Sequence, residues 1–219
     1  MTQTIEHFVL IKVKEDSSPS KINSMVDGLN SLISIDNVLH LSSGPTYKTK
    51  STSSSFNFTH MVHGRFKSKQ DLENYLGHSE HTRVVNETME LYDDVMLVDW
   101  VADVDEPLVV PSGAVIRLSL LKLKEGLGES EKTEVLKVIG GIKAHFGSII
   151  KQFNFGENFA PAKTNGFSIG SLAIVPGLSE LETLDLNEEV VKEQKEKLKD
   201  FLEDVIIVDY VVPPAEKTA

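Results

Sequence analysis

The chain has no cysteine and one tryptophan, and its 33 acidic residues outnumber its 22 basic ones. Without cysteine there is no disulfide framework, no thiol nucleophile and no thiolate metal site. A net charge of −11 gives no long-range attraction for phosphate backbones or anionic lipid, so nucleic acid and membrane surfaces are excluded as expected partners. Lys122, Lys124 and the lysines between Lys192 and Lys199 alternate with glutamates and read as solvated faces, not a basic patch. No apolar run approaches the roughly 18 residues that span a bilayer. The opening MTQTIEHFVL lacks a basic-then-apolar signal pattern, and the closing PPAEKTA carries no retention or peroxisomal signal. The expected location is the cytosol. Gly126-Leu-Gly128 and Gly140-Gly141 lack phosphate-loop spacing.

What the chain does contain is a duplication. Asp94-Val-Met-Leu-Val-Asp-Trp100 matches Asp204-Val-Ile-Ile-Val-Asp-Tyr210, an offset of 110 from 94 to 204. The same offset carries His7 to Val13 onto Arg117 to Leu123. One offset at both ends divides the chain into repeats 5–104 and 114–213, joined by a linker, 105–113, with two prolines and a glycine.

Each repeat reads β-α-β-β-α-β. Phe8–Val13 is a β-branched run. Ser18-Pro19 offers a cap and a first-turn proline, and apolar residues at 22, 25, 26, 29, 32 and 33 line one helix face. A short strand follows near Val38–Leu41, then a serine-rich exposed loop, Pro45–Ser55. Phe56–Phe66 alternates in the manner of a strand, with Phe56, Phe58, His60 and Val62 on one side. Ser68 to Asp71 has capping-box spacing and opens a helix carrying Leu72, Tyr75 and Leu76. Gly77 breaks it, and a second segment runs from Ser79 before the closing strand Val95–Val101. In repeat two, Leu178–Glu203 reads as one charged amphipathic helix. The expected fold is α+β: two ferredoxin-like repeats packed sheet to sheet as an intramolecular dimeric α/β barrel, closed or nearly so.

The candidate site is Tyr75-Leu-Gly-His-Ser-Glu-His81, where a phenol and two imidazoles sit within seven positions. His7 and His60 lie on apolar strand faces, where burial keeps a histidine neutral and basic. At the 110 offset His7, His60, Tyr75, His78 and His81 fall on Arg117, Gly170, Asp185, Glu188 and Val191, so repeat two carries none of the constellation. The i, i+3 pair His78 and His81 has a zinc-chelating spacing, with no obvious third ligand unless His60 or His7 approaches. The plainer alternative is that these are hydrogen-bonded core histidines and a packing tyrosine. Asp99 and Asp209 recur in both halves, which favours a structural role for each.

With these elements in order, each unit resembles the stress-responsive dimeric α/β-barrel (DABB) domain of plants. The resemblance rests on Glu6 to Val13, Phe58-Thr59-His60-Met61, Phe66 to Lys69, Tyr75 to His81 and Val98-Asp99-Trp100. It covers nearly the whole chain, twice. It implies stress-response and, for some members, antifungal defence roles, and an internal pseudo-dimer where single-domain members pair as homodimers. More distantly the chain is similar to olivetolic acid cyclase, an intramolecular aldol cyclase of a polyketide chain. That similarity implies a cofactor-free cyclase or lyase for a hydrophobic substrate, with Tyr75 as acid, His81 as base, His7 beside them, and Phe58, His60 and His78 in binding. A carrier of an apolar small molecule is the non-enzymatic alternative. The family also implies a magnesium site on backbone carbonyls after the first helix, here Ile33, Asp36 and Val38. Ser79 stands where the family usually has proline, and the family's Trp-Gly-Lys-Asp stretch is poorly kept around Ser43-Gly44-Pro45.

Overall fold

A computed structural model of the chain describes residues 1–52, 56–105, 107–160 and 162–214. Repeat one runs β1 (Thr2–Val13), α1 (Pro19–Ser31), β2 (Val38–Pro45), β3 (Lys48–Ser51), β4 (His60–Phe66), α2 (Lys69–Leu76), α3 (Ser79–Thr88) and β5 (Tyr92–Val104). Repeat two runs β6 (Val115–Leu123), α4 (Glu129–Gly140), α5 (Ile142–Phe146), β7 (Gln152–Glu157), β8 (Phe167–Val175), α6 (Leu178–Asp185), α7 (Glu188–Leu198) and β9 (Leu202–Val211). The strands form two antiparallel sheets, ordered β2-β4-β1-β5 and β3-β9-β6-β8-β7. They are two facing sheets, not one closed barrel, because among the described residues no continuous ladder joins them into a ring.

The central strands are buried on both faces, and their alternation sorts residues between two environments. Ile5, Ile11 and Val13 of β1 face the helices, while Phe8 and Leu10 face the other sheet. There they join Trp100, Leu118, Leu172 and Tyr210 in one core shared by both repeats. The single tryptophan is fully buried at its centre. Two glycines of repeat two make room for it. A Cβ on Gly170 would lie 2.6 Å from the Trp100 ring, and one on Gly156 would lie 2.9 Å from it. Gly170→Ala is therefore expected to destabilise the protein by about 1–3 kcal/mol, read as a fall in Tm of about 2–4 °C per kcal/mol. An unchanged Tm would mean that the ring has space to move.

Three sequence expectations need correction. The stretch Pro45–Ser55 is not a plain loop: β2 extends to Pro45, and β3 crosses over to pair with β9 of the other sheet, Lys48 opposite Asp209 and Ser51 opposite Ile206. Residues 53–55 of that stretch lie outside the described residues. Repeat two returns the exchange, since Phe159 N–H donates to the Asp99 carbonyl at 2.8 Å and Leu97 N–H to the Lys163 carbonyl at 3.0 Å. Edge groups that a single repeat would leave unpaired are thus satisfied by its neighbour. Next, β4 begins at His60 and not at Phe56. The irregular approach breaks the alternation, so Phe58 packs in the shared core, away from the helix-side face. Finally, Leu178–Glu203 is two helices and the start of β9, interrupted at Leu186-Asn187; its charge pattern continues across a break that periodicity does not register.

Between the sheets lies a buried ionic cluster. Glu6, His63 and Arg65 are all fully buried. Glu6 accepts from His63 Nε2 at 2.7 Å, Arg65 Nε at 3.0 Å and Asn154 Nδ2 at 2.8 Å. Asn154 in turn accepts from Trp100 Nε1 at 2.9 Å, and Arg65 Nη1 donates to the Leu108 carbonyl of the linker at 2.8 Å. Burial works to raise the Glu6 carboxyl, but Arg65 and His63 reverse the shift and hold it down to about 2. Burial pushes His40 down to about 2, with His63 and Arg65 adding to the effect, and also lowers His63.

These shifts set a pH window. Each histidine is neutral when folded and has an unfolded value near 6.5, so its stabilisation is complete above that value and is lost as pH falls below it. Glu6 adds a second loss as pH falls from its unfolded 4.5 toward about 2. Unfolding free energy is expected to be flat between pH ~7 and ~9 and to fall below pH ~7 by about 1.4 kcal/mol per pH unit for each proton taken up on unfolding. Denaturant titrations across that range check this, and a stability that rises on acidification would contradict it.

Candidate functional site

His7, Tyr75 and His81 meet at one cavity of ≈ 460 Å³ between the repeat-one sheet and its helices. Its remaining wall is chiefly apolar, with Ile11, Leu29, Val62, Val85 and Leu97 on it. The local chemistry of the chain places each polar group. Ser68 Oγ accepts from Asp71 N–H at 3.1 Å and starts α2, which delivers Tyr75 to the cavity face. Gly77 ends that helix after two turns. Helix ends leave carbonyls without intrahelical donors, and the Leu76 carbonyl meets His81 Nδ1 at 3.1 Å. The break after Leu76 is thus what fixes the His81 ring, and it leaves Nε2 as the ring's basic nitrogen.

His7 is held in a comparable way. It stands directly opposite Asp99 in the β1–β5 register, and its Nδ1 lies 2.6 Å from Asp99 Oδ1. The carboxylate accepts from Nδ1–H and fixes the orientation of the ring. The Tyr75 ring sits between the imidazoles, with centroids 4.7 Å from His81 and 6.3 Å from His7. Among the described residues Tyr75 Oη has no hydrogen-bond partner, although the residue is only 2% exposed. Burial raises the Tyr75 phenol well above its ordinary value, so it stays protonated and can donate. Burial lowers His81, and nearby His7 lowers it further, so it stays neutral and can accept.

The other candidates are elsewhere. His78 is exposed and caps α3, its Nδ1 accepting from Glu80 N–H at 3.2 Å. His60 is buried against Thr59, with Nδ1 3.0 Å from Thr59 Oγ1. Neither lines the cavity, and Phe58 lies in the shared core. Zinc chelation by His78 and His81 does not follow from their spacing, since one ring caps a helix and the other turns into the cavity. No group of three or more His, Cys, Asp or Glu suited to a metal occurs among the described residues. A magnesium ion would depend on the carbonyls of Ile33, Asp36 and Val38, at the single helical turn Leu32–Ser34 after α1 and the start of β2. The Val38 N–H donates to the Ile35 carbonyl at 3.3 Å, so the turn is closed by its own bond.

Two residues of the site escape sequence reasoning. Asp99 recurs as Asp209, and recurrence points to structure alone. In the fold, both acids serve the residue opposite: Asp99 holds His7, and Asp209 accepts from Arg117 at 2.7 Å. The paired change from His7 to Arg117 beside a constant aspartate is the signal that could have found it. Lys163 is the other; it lines the repeat-one cavity from repeat two, and nothing short of the crossing segment would reveal it.

Repeat two has an apolar residue where Tyr75 stands and charge beside it. The matching helices are offset by one residue from the 110 spacing, so Leu184 is the counterpart of Tyr75; Arg117 Nη2 donates to the adjacent Asp185 at 2.7 Å, and Lys48 reaches the same carboxylate at 3.1 Å. A stress-responsive A/B barrel domain model matches residues 5–102 and again 115–212. The chain belongs to the stress-responsive A/B barrel family. Within it, the chain is 43% identical over 220 residues to one stress-response A/B barrel domain-containing protein of Arabidopsis thaliana, covering 100% of this chain and 82% of that protein. It is 41% identical over 215 residues to a second stress-response A/B barrel domain-containing protein of the same plant, covering 97% and 99%. Like these A/B barrel relatives, the chain has a stress-response role. Two solved structures share the fold. A putative monooxygenase from Fusobacterium nucleatum is 12% identical with a TM-score of 0.65 over 96% of this chain and 93% of that one. An anthrone oxidase-like protein is 10% identical with a TM-score of 0.62 over 98% and 97%. Among the described residues no helix is long and apolar enough to cross a membrane.

Proposed function

We propose that this A/B barrel protein is a cofactor-free cyclase or lyase acting on a hydrophobic, polyketide-like substrate in its repeat-one cavity. The observation that carries the reading is the convergence of His7, Tyr75 and His81 on one largely apolar space. His81 Nε2 removes a proton from carbon next to a carbonyl. Tyr75 donates a hydrogen bond to the enolate oxygen that forms. The carbanion attacks a second carbonyl of the same chain, one C–C bond forms, and the proton returns to the new alkoxide oxygen. His7, held by Asp99, supplies a second hydrogen-bonding group that orients the substrate. No step uses a metal, and magnesium at the Ile33, Asp36 and Val38 carbonyls would serve the α1–β2 turn. We place this activity in the cytosol, within a stress response that extends to antifungal defence. Growth inhibition of fungi by native but not heat-treated protein checks that setting.

Incubation with a linear tetraketide coenzyme A thioester tests the reading. A ring-closed product above the spontaneous rate is expected. Substrate bound and returned unchanged would instead make the protein a carrier of apolar molecules.

A further inference from the structure

Repeat two keeps a cavity of its own, and it is the larger of the two at ≈ 620 Å³. It lies between the sheet and α4, α5, α6 and α7, among two clusters of buried residues that half-buried Ile142 and Phe153 bridge. Phe146 and Leu184 belong to one, and Leu121, Ile139 and Leu198 to the other. Repeat one has a single helix-side cluster. A void in a core forfeits packing along its walls, and its size falls in the range of small-molecule sites. The imidazoles and phenol of repeat one are absent from its lining, which is apolar with charge at the rim.

The rim charges are unequally committed. Glu203 is paired with Lys122 at 2.7 Å. Asp204 is engaged by the Thr52 hydroxyl and by Val205 N–H. On the positive side, Lys195 has no carboxylate partner among the described residues, and Arg117 uses Nε and Nη2 on its two aspartates, leaving Nη1 over. Lys50, at the end of the arm from repeat one, also lines the cavity, 3.4 Å from Asp185. The spare capacity is therefore for a negative or accepting head group, and the walls suit a hydrocarbon tail. We propose that the repeat-two cavity is a second, non-catalytic ligand site that takes an amphiphilic carboxylate, tail against Leu121, Ile139 and Leu198 and head toward Arg117 and Lys195. It does not depend on the activity proposed for repeat one.

Calorimetric titration of the full chain with dodecanoate and with dodecanol tests this. Val85→Trp blocks the repeat-one cavity, so that any remaining binding is read in that background. One dodecanoate per chain is expected there, and adding Ile142→Trp, which fills the repeat-two cavity, weakens it by about tenfold or more. Lys195→Glu alters only an exposed side chain and is expected to weaken dodecanoate by about fivefold while leaving dodecanol unchanged. Absence of binding in the Val85→Trp protein, or undiminished binding when Ile142→Trp is folded by circular dichroism, overturns the site. Equal affinity for dodecanol, or indifference to Lys195→Glu, overturns the carboxylate head.

Discussion

Substitution of His81 by alanine is expected to lower kcat for ring closure by about 10²–10⁴, the usual contribution of a positioned general base, with little change in Tm. The stability side follows from the position of the residue: His81 is part-exposed at the cavity, and its one hydrogen bond goes to the free carbonyl of Leu76. Tyr75→Phe removes only the hydroxyl and is expected to cost about 10²-fold in kcat, as for loss of one oxyanion donor. Because Oη has no protein partner among the described residues, the phenylalanine leaves no buried group unsatisfied. Full activity in folded His81→Ala protein would remove the proposed mechanism. A proportional loss of activity and secondary structure would instead assign His81 to packing.

The largest effect on stability is expected at Arg65. Arg65→Met leaves the Glu6 carboxylate fully buried with its main counter-charge gone. Breaking a buried ion pair in this way costs about 3–5 kcal/mol, a fall in Tm of about 6–20 °C for a chain of this size. The double variant Glu6→Met with Arg65→Met is expected to recover part of that loss, since no buried charge is left without a partner. Repeat two is an internal control, because the cross-strand pair equivalent to Glu6 and Arg65 is Ile116 and Ile174, both buried and apolar in the shared core. The fold thus needs no charge at this place. A double variant less stable than Arg65→Met alone would show that the cluster stabilises the fold beyond its own pairing.

Much of this was legible in the sequence, and the reasons are specific. The 110-residue offset holds because β1 and β5 pair as β6 and β9 do, so both ends of each repeat are under the same constraint. Ser18, Ser68 and Gly77 marked helix ends because capping chemistry is local. Tyr75 and His81 were legible as neighbours because a broken helix places them on one face. What was not legible depends on contacts between distant segments. The crossing of β3, the placement of Lys163 and the pairing of His7 with Asp99 all require the register between strands. Glu6, His63 and Arg65 look like surface residues, since alternation assigns faces but does not say that both faces are covered. The cavity in repeat two left no mark, because a void is defined by side chains that fail to meet.

Proton transfer at carbon in the repeat-one cavity is the central step, and hydrogen–deuterium exchange tests it apart from ring closure. The protein is incubated in heavy water with an apolar methyl ketone, and loss of the α-protons is followed by NMR. Wild type is expected to accelerate exchange over the buffer rate, His81→Ala to return it to that rate, and Ile142→Trp to leave it unchanged. Exchange that matches buffer in the wild type, or that persists in His81→Ala, would contradict the assignment of His81 as base.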